Sequence, residues 1–142
     1  MITVSDFRRY LNFNDISFEE GSYFPGVIDF YMEISINPVK NRQIEIQFKD
    51  NGKNIHVSVF GFETHYYVPG FEEEFIKELN DDKTMIYKFD KTGYDEVTFV
   101  SADLVNDSTL TMDYFVDILK LGIKQLNIAE NFYMEAVAHL DL

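Results

Sequence analysis

The residue types able to do chemistry are few and scattered. There are three histidines, His56, His65 and His139, and no cysteine. The stretch "ETHYY" comes nearest to a catalytic cluster. In it His65 stands between Glu63 and Tyr66, and an imidazole beside a carboxylate and a phenol is suited to moving protons. No G-x-S-x-G elbow frames it. His56 falls mid-strand on the side opposite Ile55 and Val57 and reads as a solvent-facing strand residue. His139 lies near the end of the last helical pattern, where the dipole favours a cation, and reads as a helix-end residue. Without cysteine, disulfides, thiolate catalysis and cysteine-ligated metals are excluded. No H-x-x-x-H or H-E-x-x-H spacing occurs. The acids of "DKTGYDE" lack the alternate oxygen ligands and closing glutamate of a calcium loop, so Gly93 is explained by a hairpin turn. The seven glycines are scattered singly, which leaves no phosphate loop. The expectation is a non-enzymatic protein with no catalytic residue, no cofactor and no metal.

Charge narrows the partners. Twenty-five acids against 12 bases give a formal net charge of −13. Such a surface is repelled by phosphate backbones and anionic membranes, so neither nucleic acid nor membrane is an expected partner. The acids serve solubility, or they meet a basic protein. The N-terminus "MITVSDFRRYLNF" lacks the basic start and apolar run of a signal peptide, and the absence of cysteine fits a reducing compartment. A cytoplasmic location is expected.

The elements that must position any site follow from periodicity. At 142 residues, 46% of them hydrophobic, with 14 Phe and 9 Tyr, residues 1–142 are expected to form one domain with a packed core. "VSDFRRYL" reads as a short helix capped by Ser5, with Phe7, Tyr10 and Leu11 on one side. "GSYFPG" is a turn. Ile28, Phe30, Met32, Ile34 and Ile36 alternate with polar neighbours, as do Ile44, Ile46 and Phe48, and then Ile55, Val57 and Val59; period two marks half-buried strands. Asn51-Gly52 suits the hairpin between the second and third. The result is an antiparallel meander with one wet face. A second helix follows Pro69-Gly70, with Glu72, Glu73 and Glu74 at its positive end. "TMIYKF", "DKTGY" and "EVTFVSADL" make another hairpin. "TMDYFVDILKLGIKQLNIAENFYMEAVAHL" has apolar residues in steps of three and four, with Thr111 as N-cap and Asn127 as a plausible break. The predicted architecture is α+β: an antiparallel five-stranded sheet with helices packed on it, in the order α-β-β-β-α-β-β-α.

Two groups of aromatic residues are candidates for contact with other proteins. "VFGFETHYYVPGF" crowds Phe60, Phe62, Tyr66, Tyr67 and Phe71, and strand alternation cannot bury all of them on one face. Phe60, Phe62, Tyr66 and Tyr67 are taken as candidate partner-binding residues. The last helix is expected to pack its first half on its own sheet and to offer its second half, through Phe132 and Tyr133, to a second copy or a partner.

The second half of the chain resembles the bacterial YbjN-like family, described as sensory-transduction regulators, which share the type III secretion chaperone-like fold. The resemblance rests on Leu79 and Asn80 at the end of an acidic helix, the turn Asp90 to Tyr94, and the Thr111-capped helix. It implies a small, acidic, non-enzymatic protein, often a homodimer, that binds an extended client segment on its surface with strand addition at a sheet edge. Two functions are therefore carried forward. One is a protein-binding module of chaperone or regulatory type. The alternative is an acidic inhibitor or immunity protein, phage- or toxin-related, that covers a basic site on its target.

Overall fold

A computed structural model describes residues 1–35, 41–63, 71–81, 86–91 and 97–140; at 34–35, 41, 62–63, 71–75, 91, 97, 137 and 139–140 it describes the backbone alone. The elements run α1 (Val4–Phe13), β1 (Phe18–Gly21), β2 (Ile28–Ser35), β3 (Asn41–Lys49), β4 (Asn54–Glu63), α2 (Phe71–Asn80), β5 (Lys88–Lys91), β6 (Val97–Val105) and α3 (Met112–Leu140). The strands form one antiparallel sheet in the order β1-β2-β3-β4-β6-β5. The α+β class stands. The sheet has six strands rather than five. The additional strand is β1, "FEEG", too short and too polar to show a period. It exists through its pairing with β2 and through the Phe18 ring, 5.7 Å from that of Phe30.

The alternation in β2, β3 and β4 does what period two requires. Phe30, Met32, Ile44, Ile46, Phe48, Ile55, Val57 and Val59 are all buried in one core. The helices contribute to that same core, Phe7 and Leu11 from α1, Ile76 and Leu79 from α2, and Phe115 to Tyr133 from α3. All three helices therefore pack on one side of the sheet. Phe7 is its aromatic centre, with ring contacts to Phe30, Phe48 and Phe115 at 5.1–5.8 Å.

Local devices end the elements. The cap of α1 is Thr3, not Ser5: Thr3 Oγ1 accepts from the Asp6 N–H while Asp6 accepts from the Thr3 N–H, a reciprocal capping box that Ser5, with no acid three residues on, cannot make. The β3–β4 turn carries positive φ at Asp50, Asn51 and Gly52, residues that tolerate the left-handed region. Asn80, at the end of α2, accepts from the Phe89 N–H at 2.7 Å and donates to its carbonyl at 2.8 Å. Its amide thereby occupies the free edge of β5 as a neighbouring strand would. The Asn106 amide donates to the Ile2 and Gly52 carbonyls and accepts from the Ile2 N–H, tying the N-terminus to the hairpin.

The long helix corrects two expectations. It runs unbroken through Asn127, with Thr111 as its cap, accepting from the Tyr114 N–H at 3.2 Å. Its second half also belongs to its own domain, since Leu126, Ala129 and Tyr133 are buried. The anchor is Arg42, 3% exposed on the core side of β3. Its guanidinium donates to the Gly61 carbonyl at 2.9 Å, to Asn127 Oδ1 at 2.7 and 3.1 Å, and to Glu130 at 3.1 Å. Gly61 sits at the irregularity between Phe60 and Glu63, where β4 passes beneath α3. A Cβ there would stand 2.6 Å from Leu126 Cδ1 and 2.6 Å from the Thr98 carbonyl oxygen. The carbonyl is held in the sheet and cannot give way. Gly61→Ala is therefore expected to lower stability by about 1–3 kcal/mol, read from the urea midpoint at unchanged m-value.

Candidate functional site

With every helix on one side, the opposite face of the sheet carries no helix among the described residues. Strand register writes its contents row by row. One row is Asp29, Gln47, His56 and Asp103; the next is Glu19, Tyr31, Glu45, Ser58, Ser101 and Lys88; the third is Glu33, Gln43, Phe60, Phe99 and Asp90. Phe60 and Phe99 face each other across β4 and β6, ring centroids 5.6 Å apart, and both are half-buried. Tyr31 is exposed. The Phe60–Phe99 pair is flanked by Gln43 and Asp90 in its own row, whereas Tyr31 has Glu19 and Glu45 opposite it.

The centre of this face is built from acids and one imidazole. His56 Nδ1 donates to Asp103 Oδ1 at 2.7 Å, which leaves Nε2 to accept from Ser58 Oγ at 3.1 Å. That connectivity of carboxylate, imidazole and hydroxyl is the one used in acyl transfer. The surroundings do not match the chemistry. Ser58 is 6% exposed, and β4 is paired on both sides. The backbone N–H groups that would have to stabilise an oxyanion are engaged in the ladder. The set instead fixes the imidazole by both of its ring nitrogens. Glu45 has its carboxyl pushed above the usual range by burial first, then by Asp29, with His56 opposing. Tyr31 is raised by burial, then by Glu45, Asp29 and Tyr23. Asp29 is 2% exposed, and its Oδ1 has no hydrogen-bond partner among the described residues.

Around the β1 end a cavity of about 1020 Å³ wraps the sheet edge, lined on the open face by Tyr31, Glu33 and Phe60 and on the helix side by Tyr10, Ile44 and Lys120. Among the described residues no group of three His, Asp or Glu side chains is arranged to hold a metal ion.

Of the residues singled out in the sequence, Phe60 lies on this open face. Phe62 belongs to β4, but its side chain lies outside the described residues, as do His65, Tyr66 and Tyr67 entirely and the side chain of His139. The turn expected at Asp90 to Tyr94 is described only in its first two residues. Phe132 is 57% exposed on α3, whereas Tyr133 is 3% exposed and belongs to the core. Consecutive helical positions point about 100° apart, so a pair at 132 and 133 cannot share one outward surface. Periodicity did not single out Asp29, Tyr31, Glu45 or Phe99. The only signal for them was their place on the polar phase of strands whose apolar phase is buried.

The described residues define an α+β protein that packs its helices on one face of its sheet, while the other face carries no described helix and is acidic and aromatic. No family model, curated protein or solved structure matches the chain. No helix among the described residues is long and apolar enough to cross a membrane.

Proposed function

We propose that the protein is a non-enzymatic binding module of chaperone or regulatory type, and that it engages a partner protein through the helix-free face of its sheet. The observation that carries this reading is the Phe60–Phe99 ring pair, with Tyr31 two strands away on the same surface, which no described helix covers. Rigid aromatic groups lose little entropy on binding and serve as anchors. The adjoining cavity gives a partner's apolar side chain somewhere to go. Membership of the YbjN-like proteins and a cytoplasmic location go with this reading. The surface of α3 offered for self-association is the exposed pair Ile128 and Phe132, one turn apart.

The test is affinity capture from the native cell, with wild type and the double variant Phe60→Ser/Phe99→Ser as parallel baits and mass spectrometry of what each retains. The variant is expected to lose the captured partner while keeping its thermal midpoint within a few degrees. Equal capture by both baits counts against the open face.

The acids on the same face favour a second reading, an acidic inhibitor or immunity protein laid over a basic site. Its binding would weaken steeply with added salt. A partner anchored by Phe60 and Phe99 would be lost in Phe60→Ser/Phe99→Ser at any salt concentration, whereas one held by the acids alone would be retained by that variant and released by salt, so a titration on both proteins separates the two.

A further inference from the structure

We propose that Asp29 and Glu45 form a subsite on the open face for the guanidinium or ammonium group of an arginine or lysine side chain on a partner protein, with the rings of Tyr31 and Tyr23 beside it. The proposal rests on the reading of this face as a partner-binding surface and gives that partner its chemistry.

Asp29 pairs with Gln47, and Tyr31 with Glu45, so the two carboxylates are diagonal neighbours on adjacent strands. Like charges at that separation repel. The neighbouring imidazole of His56 is already committed to Asp103 and Ser58. A buried carboxylate oxygen without a donor is costly to keep, and Asp29 Oδ1 is such an atom among the described residues. An arginine would supply a positive charge and a planar fork of N–H donors to both acids at once. The rings of Tyr31 and Tyr23 offer it π faces. The protein's net charge of −13 would draw a basic segment toward this face.

Access is provided by a glycine. Gly21 is the register partner of Asp29, and the Tyr23 ring lies over it. A Cβ on Gly21 would collide with that ring. Tyr23 is 72% exposed, in a turn flanked by Gly21 and by Gly26 at φ 73°. The ring can move off Gly21 with little loss of buried surface and close on an incoming side chain.

The acid pair also couples stability to pH. Glu45 holds its proton more tightly folded than unfolded. The folded state therefore binds more protons, and stability falls as pH rises from the ordinary glutamate value near 4.5 through the raised one. Above that window the burial of Glu45 beside Asp29 works against folding. Glu45→Gln should raise the thermal midpoint of the free protein while weakening binding of a basic ligand.

The experiment is a ¹⁵N NMR titration of the full chain with an acetylated oligoarginine amide, using the citrulline oligomer as uncharged isostere. Shift changes are expected at Asp29, Tyr31, Glu45 and Gln47. Affinity should drop at least about tenfold in Asp29→Asn/Glu45→Gln and in Glu45→Gln alone, with thermal midpoints unchanged or higher. The control pair Glu19→Gln/Glu33→Gln removes the same charge from the same face and should leave affinity within about twofold. Shifts spread evenly over the acidic surface, or equal losses in both pairs, would overturn the subsite. A captured partner retained by Asp29→Asn/Glu45→Gln but lost by Phe60→Ser/Phe99→Ser would sink the subsite alone. A partner retained by both variants would sink the reading of the face as well.

Discussion

Replacing Arg42 with methionine is expected to remove about 3–5 kcal/mol of stability, because it strips the partner from a nearly buried ion pair. The guanidinium is 3% exposed and its partner carboxylate on Glu130 15%, so solvent cannot take over the lost bonds. The Gly61 carbonyl and Asn127 Oδ1 lose their donor in the same step. The loss measures what is left behind, not the net worth of the pair. Adding Glu130→Gln to Arg42→Met should therefore recover part of it. A double-mutant cycle from urea midpoints gives the coupling directly, and a coupling near zero would mean that Arg42 acts through packing alone. The variant should also loosen the second half of α3, seen as faster amide exchange from Asn127 onward. Loss spread evenly along the helix would contradict the local anchor.

Phe7→Ala is the second large effect, also about 3–5 kcal/mol. Phe7 has no exposed surface, and its ring meets one from β2, one from β3 and one from α3. The cavity opens where three elements converge, so no single neighbour can collapse into it without leaving another. For a domain whose total stability is of the order of 5–15 kcal/mol, this change would leave a large unfolded fraction at physiological temperature. Phe7→Leu should recover more than half the loss, since it refills most of the volume. Thermal and urea unfolding of the two variants side by side check both numbers. If Phe7→Ala costs under about 1 kcal/mol, the aromatic centre of the core lies elsewhere.

Both residues show how differently two parts of one structure can be read from the chain. Phe7 lies on a helical stripe with Tyr10 and Leu11, and local spacing alone marks it as inward. Arg42 breaks the pattern of its own strand, standing in phase with Ile44, Ile46 and Phe48. Its acceptor Asn127 is 85 positions away. From spacing alone Asn127 looks like a helix break. In the folded chain it is an acceptor that lets the helix continue over a buried charge.

The open face divides in the same way. That the alternating strands have a polar phase is visible in the sequence, and so is the acidity of that phase. Which acids become neighbours is not. Asp29 meets Glu45, and His56 meets Asp103, only through the register of β2 on β3 and of β4 on β6. His56 and Asp103 are 47 positions apart.

The sequence by itself determined the α+β class, the meander, the Asn51-Gly52 turn, the Thr111-capped helix and the direction in which the apolar side of each meander strand faces. These follow from period, turn chemistry and capping, which act over a few residues. The tertiary structure decided the sixth strand, the placing of all three helices on one side, the Arg42 anchor and the juxtaposition of Asp29 with Glu45. Each of those depends on contacts between segments far apart in the chain. A short polar strand, a buried charge and a strained pair of acids gain or lose free energy only when their distant neighbours are in place, so no local pattern encodes them.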